Sequence, residues 1–175
     1  GLDEAERPKQ ADVVVARYNA SGACLWAVKG GGTGNDEPNA ITTDDSGNVY
    51  VTGFFTGTAT FGAATVVSTG GKDVFIVKYN ATGVVQWARR GGSVGNEAGS
   101  GIAVDASRNI YITGVYSDST KFGNLAKLTP VGQSDIFLVQ YNSAGTEQWS
   151  KTVGGAESDM SSDLVVDASG LYLSG

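Results

Sequence analysis

The feature that most constrains this chain is a repeat. DVVVARYNASGACLW (residues 12–26) recurs as DVFIVKYNATGVVQW (73–87) and as DIFLVQYNSAGTEQW (135–149), with no gap inside the unit, so Trp26, Trp87 and Trp149 are spaced by 61 and 62 residues. A second unit keeps step: AITTDDSGNVYVTG (40–53), GIAVDASRNIYITG (101–114) and DLVVDASGLYLSG (163–175), with Tyr50, Tyr111 and Tyr172 each 61 apart. Between them lie GGGTGNDEPN, GGSVGNEAGS and GGAESDMSS, whose lengths are similar while their letters change, as loops behave. A period of this size makes each repeat one supersecondary unit that buries its apolar face against its neighbours.

The units read as strands. In DVFIVKYN, Val74 and Ile76 fall on one face and Phe75, Val77 and Tyr79 on the other, a period of two carried by β-branched and aromatic residues. The N-x-S/T-G that follows is a hairpin turn. A strand carrying the Trp comes next and the Gly pair ends it. IAVD, a D-A-S-R-N turn and IYITG make a second hairpin, with Asp105 suited to an Asx turn. Four antiparallel strands per repeat of about 61 residues, with a Trp and a Tyr in fixed places and no helical pattern, predict an all-β chain of β-propeller blades. The expected order in a blade is IAVD innermost, then IYITG, then DIFLVQYN, then the Trp strand outermost. Residues 12–30 and 161–175 read as partial blades, 39–90 and 100–153 as whole ones, and 1–11 as an N-terminal linker or extension. TFGAATVVSTGGK (60–72) and KFGNLAKLTPVGQS (121–134) lengthen the link between second and third strands, with room for a small extra hairpin.

Composition removes several functions. There are 18 acidic against 12 basic residues, so the electrostatic footprint of a nucleic-acid binder is missing. His is absent and Cys occurs once, at Cys24, which leaves no intrachain disulfide, Cys/His zinc site or His-based triad within these residues. No apolar run approaches the ~18 residues of a membrane helix. No catalytic residue, cofactor or metal is assigned from the sequence, and the chain is expected not to be an enzyme.

The motifs DVFIVKYNATGVVQW, G-G, GIAVDASRNIYITG and F-G before a polar loop resemble SBBP-type bacterial β-propeller repeats over about residues 12–175. The resemblance implies a propeller in an exported or cell-surface bacterial or archaeal protein. It carries no shared catalytic residues.

Each polar or aromatic candidate has a structural reading beside its functional one. Asp44-Asp45-Ser46-Gly47-Asn48 offers hard oxygen ligands suited to calcium, but lacks the spacing and closing Glu of an EF-hand, and it repeats at Asp105 and Asp167 as a hairpin turn. Asn35-Asp36-Glu37, Asn96-Glu97 and Glu157-Ser158-Asp159 could ring one face with carboxylates for a cation or sugar hydroxyls; the favoured reading is solvated loop charge. Trp26, Trp87 and Trp149 could form a sugar-stacking platform, yet their fixed strand position favours packing between blades, as for Tyr50, Tyr111 and Tyr172. Asn19-Ala20-Ser21 and Asn80-Ala81-Thr82 are formal glycosylation sequons and also the repeated turn, which loses the sequon at Asn142. Cys24 stands where the other repeats have Val85 and Glu147, so it reads as a free structural thiol.

Together the units sum to about three blades, whereas closed propellers have four to eight. Two expectations follow: that the chain is a segment of a longer repeat protein, or that strands of one copy complete blades of another. The leading functional expectation is a non-catalytic structural, adhesion or assembly module whose partners are further copies, further blades, or surface glycans or proteins. The alternatives are a lectin-like carbohydrate-binding propeller and, further off, a quinoprotein-like enzyme fragment, suggested by S-G-x-x-x-W at 21–26.

Overall fold

The computed structural model describes residues 12–175, so the linker expected at 1–11 lies outside the described residues. Fourteen strands form: β1 (Val13–Tyr18), β2 (Cys24–Gly32), β3 (Asp36–Thr43), β4 (Val49–Phe55), β5 (Thr58–Phe61), β6 (Ala64–Val67), β7 (Asp73–Tyr79), β8 (Val85–Gly91), β9 (Glu97–Val104), β10 (Ile110–Tyr116), β11 (Asp135–Tyr141), β12 (Glu147–Val153), β13 (Asp163–Val166) and β14 (Leu171–Ser174). There is no helix among the described residues, hence none long and apolar enough to cross a membrane.

Two complete four-stranded blades stand in the order β3-β4-β7-β8 and β9-β10-β11-β12, every pairing antiparallel. IAVD, IYITG, DIFLVQY and the Trp strand thus follow one another across the sheet in the predicted order. β3 lies against β9 and β9 against β13, which places the first strands side by side at the centre. The sheets do not close into a ring among the described residues.

Burial departs from simple alternation where a blade has neighbours on both sides. β4 is buried along its whole length and β7 at all but one residue, because one core packs beneath the sheet and another above it. The first core joins Val13, Val15, Phe61, Phe75 and Val77; the second joins Tyr50, Ile76, Ile112, Phe122 and Phe137. β12, β13 and β14 keep an exposed face.

The extra hairpin forms, but away from its own blade. β5 and β6 pair with each other, and β5 extends the outer edge of the preceding sheet, giving β1-β2-β5-β6 with Gly30 opposite Phe61. The next repeat does the same in reduced form, with a bridge between Gly91 and Phe122. The reason is steric: a Cβ on Gly30 would lie 2.3 Å from the Phe61 ring, and one on Gly91 would lie 2.1 Å from that of Phe122. Only glycine lets each ring cross the outer strand and reach the interblade core, where Phe61 meets Phe75 at 5.1 Å and Phe122 meets Phe137 at 4.8 Å between centroids. Each long connection therefore clasps two blades together.

The second hairpin turn shows one local strain. Arg108 adopts φ 63°, the left-handed conformation that Gly47 supplies at the matching place, and its guanidinium reaches Asp45 at 3.1 Å in the adjacent blade. Relief of strain worth ~1 kcal/mol outweighs or balances an exposed pair worth ~0–1 kcal/mol. Arg108→Gly should therefore melt at the same temperature or slightly higher in a thermal scan; a clear loss of stability would show that the interblade pair dominates.

Candidate functional site

The turn carboxylates Asp44 and Asp105 have both oxygens engaged by their own hairpins, and Asp167 has one. Asp44 accepts the Ser46 N–H (3.0 Å), the Asn48 N–H (2.9 Å), the Asn48 side-chain amide (2.7 Å) and the Tyr50 hydroxyl (2.9 Å). Asp105 accepts the same set from Asn109 and Tyr111, and Asp167 accepts from Ser169 and Gly170. Burial works to raise the Asp44 and Asp105 carboxyls, but these donors outweigh it and hold both pKa values below the ordinary range. A carboxylate with four protein donors has little left to offer calcium. The Asn19, Asn80 and Asn142 side chains do equivalent work, each accepting backbone N–H groups two and four residues ahead.

The acidic residues after the Gly runs are neither displayed nor uniformly solvated, which corrects the reading of loop charge. Asp36 and Glu97 are wholly buried, and Asp159 partly; only Glu37 and Glu157 of these groups are exposed. Asp36 accepts the Gly32 N–H at 2.7 Å, Glu97 the Ser93 N–H at 3.2 Å and Asp159 the Gly155 N–H at 2.7 Å, so each ties down the bend between blades. Each also meets the Asp that opens a third strand. The pairs are Asp12 with Asp36, Asp73 with Glu97, and Asp135 with Asp159, always 24 residues apart. Around Gly31, whose Cβ position is 2.6 Å from Asp12 and 2.8 Å from Asp36, and likewise around Gly154, the two carboxylates converge. That constant spacing was the sequence signal for a junction, and alternation analysis passes over it because the acids lie at strand ends.

Charge balance at these junctions is incomplete. Lys29 pairs with Asp12, Arg90 pairs with buried Asp73 at 2.7 Å, and the third repeat has Thr152 in that position. Asp36 Oδ1, Asp73 Oδ1 and Glu97 Oε1 are buried without a hydrogen-bond partner. Burial raises the Asp36 carboxyl, and it pushes Glu97 up to about 7, with Asp73 and Asp118 adding to the rise against the Ser93 N–H and Arg90. Among the described residues no three His, Cys, Asp or Glu side chains converge as a metal-ligand set.

The tryptophans act between blades. Trp26 donates its indole N–H to the Ala81 carbonyl at 3.0 Å and Trp87 to the Ser143 carbonyl at 3.3 Å, each capping the turn between third and fourth strands of the next blade. Gly83 and Gly145, both at positive φ, lie so near the rings that a Cβ would sit 2.9 and 2.8 Å from them. Trp149 is half-buried and caps no turn among the described residues. Tyr50 is buried, Tyr111 is half-buried, and Tyr172 is 53% exposed, against the expectation of a buried role, because among the described residues β14 has no third strand beside it. Cys24 is exposed.

An open groove of about 540 Å³ follows the first strands, between Asn39–Thr42, Ser100–Val104 and Ser162–Val166. Its walls are the central edges of three successive repeats, joined by the Ser100–Ser161 hydroxyl contact at 2.7 Å. This is the centre of a propeller, and the family comparison agrees. Residues 30–53 match the SBBP beta-propeller repeat. The matched stretch runs from the end of one outer strand, through the buried junction acid Asp36, to the end of the first β-hairpin of the next blade. An uncharacterised WD repeat-containing protein of Acanthamoeba polyphaga mimivirus is 28% identical over 157 residues, covering 79% of this chain and 11% of that protein. The regulatory protein FlaEY of Caulobacter vibrioides is 27% identical over 168 residues, covering 91% of this chain and 17% of that protein. The chain thus spans a small part of the relatives it matches. It is a repeat scaffold module.

Proposed function

We propose that this SBBP module is a non-catalytic structural or adhesion unit of an exported or cell-surface protein, whose partly built blades are completed by strands beyond those described. The observation that carries this reading is the use of the recurring polar side chains: Asp44, Asp105, Asn80, Asn142, Asp36 and Glu97 each hold a turn or a blade junction. The same chemistry repeats from blade to blade, so among the described residues no single place gathers the differing groups that one catalytic site needs.

Two measurements test it. Protease treatment of intact source cells should release peptides of this chain, and their full protection would overturn the surface assignment. Melting temperature in calcium, in chelator and across a panel of sugars should stay constant; a saturable rise with one sugar would replace the scaffold by a lectin.

A further inference from the structure

Two clefts on this chain share one backbone frame and differ in what lines it. The first is an open cavity of about 350 Å³ bounded by β2, the bend between β5 and β6, and the turn that joins β7 to β8. The same parts meet one repeat later as β8, the bend after Phe122 and the turn joining β11 to β12. The residues that shape the frame are kept. Gly62 and Gly123 bend the chain at φ 56° and 52°, Gly83 and Gly145 open the turns, and Tyr79 and Tyr141 are buried beneath. The lining changes as a set: Val28, Ala63, Val84 and Val85 stand where the next repeat has Arg89, Asn124, Thr146 and Glu147.

In the second cleft the charged residues take up the space. Arg89 donates to the Gly145 carbonyl at 2.8 Å and to the Ala144 carbonyl at 3.3 Å, and the Glu147 carboxylate lies 2.4 Å from where a Cβ on Gly123 would sit. In the first cleft Val28 has no donor to offer the Gly83 carbonyl, and Val85 carries no carboxylate to the bend. Tyr79 lines the cavity, and its hydroxyl has no hydrogen-bond partner among the described residues. Arg89 and Glu147 are replaced together by valines, so the exchange adds no net charge, and Lys29 at the edge is already paired with Asp12. The frame accepts four polar side chains one repeat later, so folding does not demand the apolar set. An apolar recess with a few polar groups, in the range of ~300–1,000 Å³, has the make-up of a small-molecule site.

We infer that the first cleft binds a small uncharged molecule with a hydrocarbon body and one hydroxyl or amide group. The body packs on Val28, Val84 and Val85. Its polar end accepts from the Tyr79 hydroxyl and donates to the Gly83 carbonyl, in the place that the Arg89 guanidinium takes one repeat later. A sugar lacks the body, and a charged group would lose its hydration with no free countercharge to replace it. This goes beyond the scaffold reading and is compatible with it.

The probe is cyclohexanol, followed by saturation-transfer NMR on the protein. Its ring protons should be saturated, while cyclohexylamine, cyclohexanecarboxylate and glucose should respond roughly 10-fold less or weaker still. Val85→Glu, which installs the next repeat's residue on a frame that already carries it, should weaken cyclohexanol binding by roughly 10-fold or more. Tyr79→Phe keeps the ring and removes only the donor, and should weaken it by roughly 5-fold. No saturation of cyclohexanol, an equal response from the charged analogues or glucose, or binding indifferent to both substitutions would overturn the inference. Failure on any of these counts leaves the scaffold reading to be decided separately, by the protease and melting measurements.

Discussion

Wild-type protein should lose stability as pH rises from about 4.5 to above 7, and Glu97→Gln should flatten most of that decline. Glu97 is fully buried beside Asp73, with Asp118 near and only Arg90 as countercharge, and its pKa stands at about 7 against an ordinary 4.5. A raised acid is protonated more readily in the folded state than in the unfolded one, so folding takes up protons between the two values. Its stabilising contribution is complete below pH 4.5 and is lost as pH passes through 7. The difference corresponds to roughly 3 kcal/mol at about 1.4 kcal/mol per tenfold. Asp36, also raised, acts in the same direction, while Asp44 and Asp105 are lowered and lose their contribution only in acid, below the ordinary carboxylate range. At pH 8 the Gln variant should therefore be more stable than wild type, and at pH 4 no more stable. Urea titrations at a series of pH values decide the matter: an unchanged slope in Glu97→Gln would mean that the junction stays ionised and finds its charge balance elsewhere.

Phe122→Ala should destabilise the protein by about 3–5 kcal/mol, the usual cost of emptying a fully buried aromatic site. The ring belongs to the connection after β10 but sits in the core between blades, passing over Gly91 to meet Phe137 at a tilt of 50°. Gly91→Ala should be harmful for the complementary reason, since its Cβ would fall 2.1 Å from Phe122 ring atoms. Combined, the two changes should cost clearly less than the sum of their separate effects, because the small residue at 122 removes the clash at 91. Denaturant midpoints of the two single variants and the double variant measure this coupling. Additive costs would show that the clasp contributes nothing beyond local packing.

The contrast between Phe122 and its neighbours shows where sequence reasoning reaches. Strand order within a blade was legible because the hairpins β9–β10 and β11–β12 are each closed by a short turn whose Asp, Asn and Gly residues act on chain three or four positions away, and the longer link from β10 leads to the repeated Asp135 that opens the next strand. The F-G motifs were visible and a hairpin at 60–72 was anticipated. Its attachment to the preceding blade was not, since Gly30 and Phe61 meet across 31 residues and the sequence marks only that one is small and the other large. The junction acids were misread for the same reason. Asp36 and Glu97 follow Gly-rich loops and look solvated, yet the loop folds over them when the next blade packs, and burial then raises their pKa values.

The period, the all-β class, the four strands of each blade and their order follow from the residues of a single repeat, because alternation and turn chemistry are local. Packing between blades settled which blade each connecting hairpin clasps, that carboxylates meet at the junctions with Asp36, Asp73, Glu97 and Asp135 buried, and that Trp26 and Trp87 hold the turns of the blades ahead. Those outcomes depend on the distance between blades, a quantity set by the packing of Phe61, Phe75, Phe122 and Phe137 between sheets rather than by any single repeat.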